Sequence, residues 1–157
     1  MEGKIITRWT IENVLNRAIS MEKQSYDLYI WAINRVTSPG IKKFLKELAQ
    51  EELEHKEKIS NALKDRKKIA EIGREEIEDL KIVDWLKDTK LSKDATYQEI
   101  LIFAGKREKE TYEYYKNISE KFKDNNIGKL FSKLSQEELK HKNKIEREYD
   151  RYILQEM

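Results

Sequence analysis

A glutamate and a histidine three positions apart on a helix can offer a metal ion two ligands at once, and this chain carries that pair twice. Glu52 precedes His55 within Glu51-Glu52-Leu53-Glu54-His55, and Glu138 precedes His141 within Glu137-Glu138-Leu139-Lys140-His141, 86 positions later. These are the only two histidines in the chain. Positions i and i+3 share a helical face, so each copy sets a carboxylate beside an imidazole. Iron, manganese and zinc all accept such a ligand set.

The two copies belong to a longer internal repeat at one offset, which is read before any fold is assigned. Ala18, Glu22 and Lys23 align with Ala104, Glu108 and Lys109; Tyr26 and Tyr29 align with Tyr112 and Tyr115. Gln50 to Leu53 align with Gln136 to Leu139, and Ile59 with Ile145, with no insertion after Glu22. The repeat therefore adds Glu22 and Glu108 as a matched pair of carboxylates. Each falls inside an apolar helical stripe, where a charge needs compensation. Glu51, Glu54, Glu137 and Lys140 read as solvated surface.

Four helices must position these groups. The first covers 10–36, with Thr10 as its cap and a stripe of Leu15, Ala18, Ile19, Tyr26, Tyr29, Ile30 and Ile33. The second covers 39–66 and opens on Ser38-Pro39; its stripe runs through Phe44, Leu45, Leu48, Glu52, His55, Ile59 and Leu63. The third covers 95–122, capped by Asp94 or Thr96, through Ile100, Leu101, Ala104, Glu108, Tyr112, Tyr115 and Phe122. The fourth covers 127–154, after the turn Asp124-Asn125-Asn126, through Leu130, Phe131, Leu134, Glu138, His141, Ile145 and Tyr149. Between the helical pairs, 67–94 is less regular. Short helical pieces are expected over 75–80 and 84–86, with Trp85 as an anchor. A connection of this length is unusual in a helical bundle.

The spacing carries a geometric expectation. Glu22 and Glu52 straddle residue 37, in the first turn, and Glu108 and Glu138 straddle residue 123, in the second. In antiparallel hairpins each of these residues lies about 22 Å from its turn, from the helical rise per residue. Four carboxylates and two imidazoles then converge on one level. A two-fold axis across the bundle puts the turns at opposite ends, and the connection over 67–94 must then travel about 40 Å. One long crossover is the expected topology.

Composition narrows the remaining classes. A chain of 157 residues supports one domain spanning 1–157. Charged residues make up 39% of it, yet the net charge is +2 and the signs are interleaved, which argues against a nucleic-acid partner. There is no Cys, which excludes disulfides and iron–sulfur clusters, and one Pro and five Gly favour helix. Met1 to Trp9 lacks the apolar core of a signal peptide, and the longest apolar run, 100–104, is too short to span a bilayer. The expected setting is cytoplasmic, with no membrane partner.

With these residues in view, the chain resembles the ferritin-like di-iron carboxylate proteins, whose ligand plan is one Glu from each of two helices plus a Glu-x-x-His from each of the other two. Within that class it is similar to the rubrerythrin branch, through the Glu22/Tyr29 and Glu108/Tyr115 spacing. The resemblance implies an all-α, ferritin-like four-helix bundle. It implies two iron ions, with manganese or zinc possible, bridged by Glu52 and Glu138. Glu22 with His55, and Glu108 with His141, are the implied terminal ligands, and Tyr29 and Tyr115 the tyrosines that support them, with Tyr26 and Tyr112 behind. It implies oxidoreductase chemistry on peroxide or O2, or iron handling and storage with ferrous iron as the cargo. A homodimer is expected.

The chain departs from that pattern in two places. Rubrerythrins usually carry a cysteine-based electron-delivery module; with no Cys here, a separate small electron-donor protein is expected. Many also have a further glutamate three residues after the third-helix ligand, where this chain has Thr111. Four buried carboxylates without metal should all have raised pKa values, and metal should stabilise the fold strongly.

Overall fold

Every helix begins where a side chain can satisfy the exposed N–H groups of its first turn. The computed structural model describes residues 8–65, 77–78 and 91–156. Helix α1 (Ile11–Ile33) starts at Thr10, whose hydroxyl accepts from the Asn13 amide at 3.2 Å while the Asn13 side chain accepts from the Thr10 amide. Helix α2 (Pro39–Lys64) starts at Ser38, with Pro39 in the first turn, where its missing N–H costs nothing. Helix α3 (Tyr97–Lys121) is capped by Thr96, not Asp94, in a reciprocal pair with Glu99. Helix α4 (Asn126–Glu156) follows Asn125, whose side-chain oxygen accepts from the Ile127 and Gly128 amides at 3.0 and 3.2 Å. A Cβ on Gly128 would collide with the Phe122 carbonyl, so this tight turn admits only glycine.

A two-residue antiparallel pair lies at the start of α1, with β1 (Arg8–Trp9) against β2 (Ile77–Glu78) and Arg8 opposite Glu78. Extended structure at Ile77–Glu78 corrects the helical expectation for 75–80. A partner 68 to 70 positions away satisfies this backbone, and no local pattern could announce that. The rest of that piece, and the one over 84–86, lie outside the described residues.

The contacts fix the chain directions. Along α1, Val14 and Ala18 meet Tyr114 and Tyr115 of α3, while Tyr29, further along, meets Glu108, so the partners on α3 lie earlier in the chain toward the end of α1. Along α2, Glu51 and His55 meet Lys144 and Glu138 of α4, again descending. The α1/α3 and α2/α4 pairs are therefore antiparallel, like the hairpins α1/α2 and α3/α4, and the two turns lie at opposite ends. The chain is an all-α four-helix bundle in which α2 ends at one end and α3 begins at the other, so the connection has to cross its length.

The core is split in two. One apolar cluster, around Leu15, Ala18, Met21, Ile59, Tyr115, Phe131 and Leu134, fills one half of the bundle. The other, around Tyr29, Leu45, Leu48, Ile100, Ala104 and Ile145, fills the opposite half. The carboxylates and imidazoles lie between them. The buried face of α3 runs through Glu108, Thr111, Tyr114 and Tyr115, so Tyr112 moves to the flank and Tyr114 takes the interior place expected of it. Ile30, also expected inside, is 37% exposed. No helix among the described residues is long and apolar enough to cross a membrane.

Candidate metal centre

The six residues of the paired motifs and their matched glutamates come together in this middle layer. Glu22, Glu52, His55, Glu108, Glu138 and His141 are each 3% exposed or less. They form two groups of four: Glu22, Glu52, His55 and Glu138, and Glu52, Glu108, Glu138 and His141. In each group every residue offers one ligand atom, all within 4.8 Å of one another. Glu52 and Glu138 belong to both groups. Glu22 with His55, and Glu108 with His141, belong to one each.

The polar contacts repeat the sequence repeat, with partners exchanged between its halves. His55 Nδ1 lies 2.9 Å from Glu138 Oε1, and His141 Nδ1 lies 2.8 Å from Glu52 Oε1. His55 Nδ1 is 3.5 Å from Glu22, and His141 Nδ1 is 3.7 Å from Glu108. The two rings stack with centroids 5.4 Å apart. The Tyr29 hydroxyl donates to Glu108 Oε1 at 2.5 Å, and the Tyr115 hydroxyl to Glu22 Oε1 at 2.7 Å. Each tyrosine thus serves the glutamate of the other hairpin. Tyr26 and Tyr112 are only half-buried.

Two residues read as solvated surface take part as well, which corrects that expectation. Glu137 lies 2.7 Å from His55 Nε2, and Glu51 is hydrogen-bonded to His141 Nε2. The signal was present in the sequence, since Glu51-Glu52 and Glu137-Glu138 repeat as pairs. Glu54 and Lys140 do lie exposed, on the rim of a small surface cavity whose floor is formed by the two imidazoles. Thr111 is buried, but its hydroxyl donates to the Arg107 carbonyl of its own helix at 2.9 Å. Glu110 is in neither group of four. No carboxylate fills that position.

The charges divide unevenly, against the expectation that all four carboxylates rise. Burial, then the Glu108 and Glu22 charges, hold Glu52 well above the usual carboxylate range. Burial, then the charges of Glu108, Glu22 and Glu52, do the same to Glu138. Burial also pushes Glu108 upward, but the Glu138, His141 and Tyr29 groups beside it outweigh that and bring it down to about 2. Glu22 is lowered in the same way, through Glu52 and His55. Burial disfavours charge on the imidazoles, yet Glu22 beside His55 and Glu108 beside His141 raise both. Without metal these shifts favour the charged forms of Glu22, Glu108 and the two imidazoles, and the protonated forms of Glu52 and Glu138. Tyr29 and Tyr115 are raised well above the ordinary phenol by burial and by the glutamates, so they remain donors.

The donor set fits a pair of cations. The tyrosines engage Oε1 of Glu22 and Glu108, while Oε2 of each is buried with no hydrogen-bond partner, as is Oε2 of Glu138. A buried carboxylate oxygen without a donor is costly, and a cation in each of the two groups would offset that cost. Four carboxylates also balance two divalent charges. Together these features make the layer a candidate metal site with room for two ions.

The rubrerythrin family model matches residues 13–149. No curated protein and no solved structure matches the chain.

Proposed function

The chain belongs to the rubrerythrin family, and from that premise we propose that it is a di-iron oxidoreductase that reduces peroxide or O2. The observation that carries this reading is the pair of overlapping four-residue groups that share Glu52 and Glu138. Those two glutamates would bridge the ions. Glu22 with His55 would complete one site, and Glu108 with His141 the other. Two bound ferrous ions would supply the two electrons that, with two protons, reduce peroxide to two waters.

The chain's own residues prepare that chemistry. Tyr29 and Tyr115 hold one oxygen of each terminal carboxylate and leave the other free for a cation. The two apolar clusters close the layer toward both ends of the bundle, leaving the small cavity over the imidazoles as its opening to the surface. Glu52 and Glu138 would give up their protons when ions arrive, so that four carboxylates balance two divalent charges. Because the sequence contains no Cys, reducing equivalents come from a separate small redox protein.

Stopped-flow mixing of anaerobic di-ferrous protein with peroxide, and separately with O2, tests the proposal. Rapid oxidation of two irons per chain, reversed by a reductant and repeatable, supports it. Iron accumulating far beyond two per chain would instead make this an iron-storage protein.

A further inference from the structure

The second hairpin departs from the first on the face that α3 and α4 turn outward. At the repeat's offset of 86, Ile19 of α1 corresponds to Gly105 of α3, and Asn16 to Ile102. Ile19 packs against the apolar cluster of its own half, together with Leu63 of α2. Gly105 has no side chain to do the same, and a cavity of about 390 Å³ opens over Leu101, Gly105, Ile145 and Tyr149. Ile102, three residues before Gly105, lines the same cavity and is 42% exposed, where the first hairpin shows the polar Asn16. One surface thus carries a hole and, a helical turn away, an apolar knob. The charges depart as well. Lys56 and Lys64 of α2 correspond to Lys142 and Asp150 of α4, so a like-charged pair has become an opposite one, and both of its members line the cavity.

A knob and a hole on one surface suit a two-fold contact, because each copy then gives and receives the same residue. With the axis perpendicular to the helices, residues equidistant from a midpoint meet across it. Ile102 and Gly105 have their midpoint between 103 and 104. Lys142 and Asp150 have theirs at Glu146. A Cβ on Gly105 would lie 3.7 Å from Ile145, so Gly105 and Ile145 share a level. In antiparallel helices one step on along α4 is one step back along α3, which sets Glu146 level with residue 104. The two midpoints agree within about 2 Å, and one axis serves both pairs. Lys142 also pairs with Glu146 of its own helix at 2.7 Å, which holds its ammonium at the edge of the cavity.

We propose that this face of α3 and α4 is the interface with a second copy of the chain, with Ile102 seated over the partner's Gly105 and Lys142 beside the partner's Asp150. The overlap about that axis covers 136–156 of α4, a length of about 30 Å, across two helices each about 10 Å wide. That is about 600 Å² per copy, at the low end for a specific complex, so the dimer should dissociate on dilution. This contact does not depend on what the buried layer binds.

Analytical ultracentrifugation of the full-length protein across micromolar concentrations tests the assignment. Wild type should show a reversible monomer–dimer equilibrium. Gly105→Ile and Ile102→Asn each restore the residue that the first hairpin carries. Both should keep the helical circular dichroism, since a Cβ at 105 meets only ordinary contact and the rest of the side chain enters the cavity. Each should nevertheless weaken the dimer about 30-fold or more. Asp150→Lys, which copies Lys64, should weaken it about threefold to tenfold, and adding Lys142→Glu should restore it, which a folding defect could not do. Asn16→Ala, on the equivalent face of the first hairpin, should dimerise as wild type. A wild-type monomer at every concentration overturns the assignment, whether the cavity is then covered by the chain itself or by another molecule. So does a dimer that Gly105→Ile and Ile102→Asn leave intact, an equal loss in Asn16→Ala, or a charge-swapped double variant no tighter than Asp150→Lys alone.

Discussion

Tyr29 on α1 donates its hydroxyl to Glu108 on α3, 79 residues away, and not to Glu22, two turns earlier on its own helix. Tyr115 returns the contact to Glu22. The two bonds tie the hairpins together through the buried layer. Tyr29→Phe and Tyr115→Phe should each destabilise the metal-free protein by about 1.5–3 kcal/mol, the range for a buried hydrogen bond to a charged group. Urea denaturation measures this. A loss under about 0.5 kcal/mol would show that neither bond holds the hairpins.

Shared and unshared ligands should behave differently. Glu22→Gln removes a ligand from one group only, so one strong metal site should survive. Glu52→Gln removes a ligand from both groups and should weaken both. Isothermal titration with zinc separates the two cases. Equal loss in both variants would contradict the bridging assignment.

The metal-free protein should become less stable as pH rises above neutrality. Glu52, Glu138, His55 and His141 all have raised values in the fold. The folded state therefore holds protons that the unfolded chain has released. Their stabilisation is complete below the unfolded values, about 4.3 for Glu and 6.5 for His, and is lost as pH climbs through the folded ones. Glu108, at about 2, works the other way: its contribution is present above the unfolded value and is lost as pH falls toward 2. Thermal melts from pH 5.5 to 8.5 should show the metal-free melting temperature falling while the metal-loaded one holds. A metal-free melting temperature that rises with pH would contradict this charge distribution.

Metal loading should release protons. Glu52 and Glu138 must ionise, and both imidazoles must give up the Nδ1 proton, so filling the site should liberate about two to four protons per chain near neutral pH. Titrations in buffers of different ionisation enthalpy count them. No release would mean that the bridging glutamates were already ionised.

Much of this was legible in the sequence because the constraints are local or periodic. The caps at Thr10, Ser38 and Thr96 are read within four residues. Glu22, Glu52, Glu108 and Glu138 betray themselves as carboxylates inside apolar stripes, and the repeat sets them at one height. What was not legible depends on how helices rotate against each other. The roles of Glu51 and Glu137 appear only once α2 faces α4, because each serves a ring on the other helix. The exchange of Tyr112 for Tyr114 is a rotation of α3 too small for stripe-reading to resolve. Ile77–Glu78 pairs with a segment before the first helix, and no spacing rule reaches that far.

Anaerobic titration of chelator-treated protein with ferrous iron, followed by binding stoichiometry and melting temperature, tests the central claim most directly. The account predicts saturation at two ions per chain and a melting temperature that climbs with loading, since an ion present at a hundred times its Kd stabilises the native state by about 2.7 kcal/mol. Saturation at any other number, or equal melting temperatures for metal-free and loaded protein, would contradict it.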